Sequence, residues 1–576
     1  MAAELGRPPL AAASPHRVSL FRRIYGLGSI FGKTLRDSRR AALIVGGFLA
    51  VIWLVVGSAT ASTFGTVQAR SEGITLTTSL PPILLGLYGG TQPNVVTLGG
   101  FANWRYGEVF LLVPAVWSLL ALSGTLVIEA HRGSMDLIAA GPLARRRIAL
   151  QKLFGHVAAV AMVMIMIAVV SWLVGMAFGT LSAEEIASIG GTGSDQIPFV
   201  DALSQVVLMG LVALAAGSIA FALAQFVGRG AAAGIAALVL AVSWLIFGYR
   251  DAIPVFDALT PLSWFSWTAG HRPIAGVYDW PSLLPLAGIA VVGAVVGIGA
   301  FERRDIGAIG SVRTPGMPRA LVGTRSPLGR TFGDRFPGAI GWGIGLGLVA
   351  FLIAASGDQL RESIVSQPAL VEMMRALFPT VDVNAPGFGL QLGFLAFGYL
   401  GGALAAGTII GGWASDELEG RLEMVLATST SRARWFVASG LGVFGAIAVV
   451  MLITALAVAI GVAITGEDPL TATLGAGVLG LYGAAITGIG FAVAGLTRAS
   501  LAAVAVYVIA VGTILIEIVA PALQLPEWVH ELAMTAHFGE PMLGSWDPVG
   551  IVACLVLAVG GLAIGTLAFS RRDLRG

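Results

Sequence analysis

The chain has 576 residues, of which 56% are hydrophobic and only 11% charged. A soluble domain carries roughly a quarter charged residues, so a soluble globular fold is excluded, and a mean hydropathy of +0.87 agrees with that. The 78 glycines suit helices that pack closely in lipid, and the lone Cys554 has no internal partner for a disulfide.

Residues 1–17 are polar and rich in Pro and Ala, and read as a disordered cytosolic tail rather than a cleavable signal. Over 18–40, Phe21, Ile24, Tyr25, Gly28, Phe31 and Leu35 recur at helical spacing, with Arg22, Arg23, Lys33 and Arg36 between them. That pattern predicts a basic amphipathic elbow helix lying in the cytoplasmic interface. Apolar runs long enough to cross a bilayer then occur near 41–62, 108–130, 149–179, 201–227, 231–249 and 282–301. After a cytosolic linker at 309–321 and a second elbow at 322–337, they recur near 338–356, 388–413, 435–465, 470–497, 500–521 and 548–569. The expected fold is an all-α polytopic membrane protein of about 12 transmembrane helices, with one six-span repeat over 18–308 and another over 322–576.

Orientation follows from Lys and Arg, which stay on the cytoplasmic side. With both termini inside, only Arg70, Arg105, Arg250, Arg272, Arg361 and Arg375 of the 34 basic residues fall in outer segments.

The two halves repeat. The segment from Glu129 to Gly155 returns as Asp416 to Gly442, displaced by 287 residues without a gap, so that Gly133 falls on Gly420, Asp136 on Glu423, Arg145 on Arg432 and Gly155 on Gly442. The same displacement carries Pro81 onto Pro368 and Gly100-Phe101 onto Gly387-Phe388. Gly32-Lys33-Thr34 returns as Gly329-Arg330-Thr331, and Arg303-Arg304-Asp305 as Arg571-Arg572-Asp573. Six spans is an even number, so both copies face the same way and form parallel repeats. The outer loops before the last span of each half carry Trp264, Trp267, Trp280, Trp528 and Trp546, which suit short helices anchored at the outer interface.

Catalytic and metal motifs are absent from the sequence. Gly28 to Thr34 mimics a P-loop but has three residues between Gly28 and Gly32 where four are needed. No HExxH or GxSxG occurs, and the six histidines never stand at ligand spacing. No catalysis is expected of the chain alone, no cofactor bound by it, and no nucleic-acid partner.

What remains is the repeated polar insert between spans 2 and 3 of each half. Its acids come first (Glu129, Asp136; Asp416, Glu417, Glu419, Glu423) and its bases last (Arg145, Arg146, Arg147, Lys152; Arg432, Arg434). Acid at the N-terminal end and base at the C-terminal end complement a helix dipole, which predicts a short cytosolic helix in each insert.

Glu129, Gly133, Ser134, Met135, Asp136, Ile138, Pro142, Arg145, Ile148 and Lys152 together form a pattern that resembles the segment after the second span in ABC-2 type export permeases. The second copy, with Glu417, Glu419, Gly420, Arg421, Glu423, Leu426, Ala427 and Arg432, resembles the fused double-length permeases of actinobacterial antibiotic and multidrug exporters of the tetronasin type. It departs at Ser429, which replaces Pro142, and at Ser439, which replaces Lys152. The resemblance implies a permease subunit in a bacterial plasma membrane. Coupling helices over 131–148 and 418–435 would dock two copies of a cytosolic ATP-binding subunit, which would carry the ATP and magnesium. Glu129, Gly133, Asp136, Pro142, Arg145, Glu417, Gly420, Glu423 and Arg432 would form the coupling surface. Few polar residues punctuate the spans, so the small-molecule cargo is expected to be lipophilic or amphipathic. The alternative is a proton-coupled carrier of the major facilitator type, also six plus six. Its signature is missing from the loop after the second span, and Glu517 is the main ionisable candidate within the membrane.

Overall fold

The computed structural model describes residues 28–78, 85–86, 89–90, 93–131, 135, 141, 143–251, 254–303, 326–366, 368, 371, 382–393, 398–418, 420–465, 468–522 and 525–572. The expected tail at 1–17, the linker at 309–321 and the insert residues Gly133, Asp136 and Pro142 lie outside them. Contacts divide the chain into two units, residues 1–74 with 85–312 and residues 75–84 with 313–576.

The protein is an all-α polytopic membrane protein. Among the described residues, 11 helices are long and apolar enough to cross a membrane. Many present large apolar side chains outward, among them Ile44, Ile165, Val295, Leu456, Val508 and Val559. Water penalises such exposure and hydrocarbon does not.

In the first unit the principal helices are α1 (Ile30–Thr63), α2 (Val67–Thr78), α3 (Leu98–Gly124), α4 (Val127–His131), α5 (Arg145–Phe178), α6 (Ala183–Ser188), α7 (Phe199–Val227), α8 (Arg229–Gly248) and α9 (Leu284–Arg303). Helix α1 packs on α5, while α7 packs on α3, α5, α8 and α9.

In the second unit they are α10 (Pro327–Val365), α11 (Phe388–Gly393), α12 (Tyr399–Leu418), α13 (Arg421–Leu426), α14 (Arg432–Thr465), α15 (Pro469–Leu496), α16 (Ala502–Ala522) and α17 (Pro548–Arg571). Here α10 packs on α14, while α15 packs on α12, α14, α16 and α17, the same pattern of partners. The span expected at 388–413 comes as α11 and α12, with 394–397 outside the described residues.

The repeated glycines explain the shared pairing. A Cβ on Gly155 would meet the Phe31 carbonyl oxygen at 3.0 Å and Thr34 Cβ at 2.8 Å. On Gly442 it would meet the Leu328 oxygen at 2.8 Å and Thr331 Cβ at 3.0 Å. The first and third spans of each unit therefore touch backbone to backbone at the repeated glycine and threonine, a contact that only a missing side chain allows. Ser29 and Ser326 cap the two first helices alike, each accepting from the amide three residues on.

Two expectations are revised. Of the elbows expected at 18–40 and 322–337, residues 18–27 and 322–325 lie outside the described residues, and the remainder is not set apart, because α1 is helical from Ile30 and α10 from Pro327 straight into the apolar run. A serine cap opens each helix, and packing of its first turns on the third span at Gly155 or Gly442 carries it on without a break. The outer Trp residues also divide in their roles. Trp280 and Trp528 are exposed, as interfacial anchors would be, but Trp264 is buried in the core of its unit. The segments before the last span of each unit do contain short helices, at Pro254–Leu259, Trp264–Ala269 and Glu527–His530. A two-residue ribbon pairing Gly539 with Trp546 and Glu540 with Ser545 follows in the second unit.

Candidate coupling site

The polar insert of the second unit can be followed almost completely. Helix α12 ends at Leu418, Gly420 turns the chain with φ of 70°, and α13 begins at Arg421. That left-handed backbone suits glycine and strains other residues. Leu422 is 1% exposed and holds α13 to the bundle, whereas Glu423 and Met424 face outward.

The root of this element is fixed by charge. Arg421 Nε pairs with Asp416 Oδ1 at 3.1 Å and its Nη2 donates to Ser415 Oγ. Arg572, just past the end of α17, pairs with Glu417 at 2.5 Å and donates to the carbonyls of Ala494 and Thr497. Arg432 in turn donates to the Arg572 carbonyl at 2.6 Å. One network thus ties the ends of α12, α14, α15 and α17 together.

In the first unit the corresponding clasp is built differently. Glu129 accepts Lys33 Nζ at 2.7 Å and pairs with Lys152 Nζ at 2.9 Å, joining α4 to α1 and α5. Lys152 is 3% exposed. Burial opposes ionisation of Glu129, yet hydrogen bonds from Lys152 and Lys33 prevail and hold its carboxyl below the usual range. Met135, which aligns with Leu422, is 0% exposed and packs with Leu122, Leu126, Ile148 and Phe301. Each insert is therefore pinned by an apolar residue at the same repeated position.

The expected residues accordingly divide. Gly420 and Glu423 lie on the short element, as expected. Glu417 and Arg432 belong to one network at its root, and Glu129 is held inside a clasp. The dipole argument fails for the bases, because Arg145 and Arg432 are the first residues of the long helices α5 and α14 rather than the last of a short one. Arg432 is instead held by the carbonyl of Arg572. The Lys152 position is filled in the second unit by Ser439, which is buried and accepts from Trp413 Nε1 at 2.9 Å. Without a buried lysine there, Asp416 pairs with Arg421 instead.

Arg421 entered only through the resemblance of the second insert, and the partners Lys33 and Arg572 were not expected at the site. The only sign of them was their place in repeated basic stretches that topology alone explains.

Elsewhere in the first unit, Arg70 and Asp195 are both almost fully buried and paired at 2.9 Å. Asp195 also accepts the amides of Leu98 and Leu181. Two arginines, Arg272 and Arg250, act electrostatically on buried Glu108 in α3. In the second unit, Glu517 near the C-terminal end of α16 accepts from the hydroxyl of Thr535.

No curated protein matches the chain. Residues 325–570 match the family described as the C-terminal domain of the multidrug efflux system permease Rv1217c. That stretch covers nearly all of the second unit, and the likeness, on a multi-pass helical membrane protein, supports a transporter permease role for the chain.

Proposed function

We propose that the chain is the permease subunit of an ATP-binding-cassette exporter in a bacterial plasma membrane, with both termini in the cytoplasm. It moves a lipophilic or amphipathic compound outward, and two copies of a separate cytosolic ATP-binding subunit energise it. The observation that carries this reading is α13. It is a short helix between two spans, held at its root by Asp416–Arg421, Glu417–Arg572 and buried Leu422, with Glu423 and Met424 turned outward. A rigidly rooted element with an unspent exposed face can push or pull the bundle as a lever, and force on it would reach α12, α14, α15 and α17 together. The first unit repeats the arrangement through Met135 and the Glu129 clasp, which leads to α1 and α5.

The multidrug efflux likeness over 325–570 supports an efflux cargo of drug-like character. The test is to reverse charge at Asp136 and Glu423 together and co-purify the chain with its ATP-binding subunit. Association falls sharply while membrane insertion is unchanged; undiminished association would remove the docking assignment.

A further inference from the structure

A carboxylate inside a membrane helix is expensive unless a cation or a proton meets it. In the first unit Glu108 lies within the electrostatic reach of Arg272 and Arg250. Glu517 in the second unit has a different environment. Its carboxylate is half-buried, accepts from Thr535, and acts electrostatically on the hydroxyls of Tyr399 and Tyr482. No cation pairs with it among the described residues.

Around it stands an aromatic cluster drawn from three parts of the same unit. Tyr399 of α12 stacks on Phe538 with ring centroids 5.5 Å apart and planes 12° apart. Tyr482 of α15 meets both at near right angles, with centroids at 5.5 and 6.1 Å. The Tyr482 hydroxyl is held by the side chain of Thr513 on α16, one turn before Glu517. These buried rings bring π-electron density close to the Glu517 carboxyl.

We propose that Glu517, with Tyr399, Tyr482 and Phe538, forms a binding site for an amphipathic organic cation, such as a quaternary ammonium or phosphonium with an apolar body. The cationic head supplies the charge that Glu517 lacks, and the aromatic rings attract it further, an effect that strengthens where water is excluded. The apolar body remains in surroundings already lined by apolar and aromatic side chains. An inorganic divalent ion fits poorly, since no three acidic, histidine or cysteine side chains converge among the described residues. The site deepens the permease reading by assigning a charge class to its cargo, and so rests on that reading.

The experiment uses the full-length chain in lipid nanodiscs, without any ATP-binding subunit, and measures equilibrium binding of tetraphenylphosphonium and of neutral triphenylphosphine oxide. The wild-type chain binds the cation at least tenfold more tightly than the neutral compound. Glu517→Gln weakens cation binding at least tenfold, about 1.4 kcal/mol, and leaves the neutral compound unchanged. Tyr399→Phe keeps the ring and most of the affinity, whereas Tyr399→Leu loses several-fold. Equal affinity of the wild-type chain for the two compounds overturns the proposal, whether or not the Glu517 variant folds. So does a Glu517→Gln chain that binds the cation normally. Because no ATP-binding subunit is present, failure here leaves the coupling reading standing, and failure of coupling leaves this binding result interpretable.

Discussion

Replacing Glu129 by Gln in the first unit probes its clasp with Lys33 and Lys152 directly. Glu129 meets Lys33 at 2.7 Å and Lys152 at 2.9 Å, and only Lys152 is fully buried. Removing one partner of a buried pair costs about 3–5 kcal/mol, because the other charge is left without compensation. Lys33 is about a third exposed and is solvated after the change, so its share is small. The remaining cost, from stranding Lys152, is about 2–3 kcal/mol. Thermal unfolding of the purified chain in detergent measures it, and a double-mutant cycle isolates the pair. Lys152→Met alone is also destabilising, whereas Lys152→Met combined with Glu129→Gln recovers most of the loss, because no buried charge remains unpaired. Strict additivity of the two single changes would refute the pairing argument.

Further predictions concern both units. The Glu129 carboxyl is held below the usual value of 4.5, so its contribution is complete above that pH and declines as pH falls through its lowered value. The stability difference between the wild-type and Glu129→Gln chains should therefore be flat at neutral pH and shrink as pH falls below the usual value of 4.5. Gly442→Val drives a side chain into the Leu328 carbonyl and Thr331, and the yield of monodisperse chain should collapse on size-exclusion chromatography. Gly47→Ala, which meets nothing within 4 Å, serves as the tolerated control. Gly420→Ala strains the left-handed turn by about 1–2 kcal/mol. The ATP-binding subunit still associates, but the ratio of transport to ATP hydrolysis in reconstituted vesicles drops.

The spans were legible because hydrocarbon imposes a crude rule on sequence, namely about 20 apolar residues per crossing. The repeat was legible through Gly155 and Gly442 and through Thr34 and Thr331, residues that return in both halves because the same backbone contact returns. The clasps were not. Glu129 finds Lys33 across 96 residues and Glu417 finds Arg572 across 155, and no local periodicity encodes such pairings. The basic residues were misjudged for a related reason, since sequence order alone does not show whether Arg432 ends a short helix or opens a long one. Trp264 misled because an aromatic belt and a buried aromatic core use the same residue type. Glu517 was visible as a charge in an apolar run, but its ring of Tyr399, Tyr482 and Phe538 comes from distant parts of the chain.

The most direct test of the account is transport in inside-out vesicles containing the chain with and without its ATP-binding subunit. ATP-dependent accumulation of a lipophilic cargo that requires both chains, and that Glu423→Lys reduces at least tenfold, is the predicted result. Accumulation by the chain alone, driven by a proton gradient and indifferent to ATP, would contradict it.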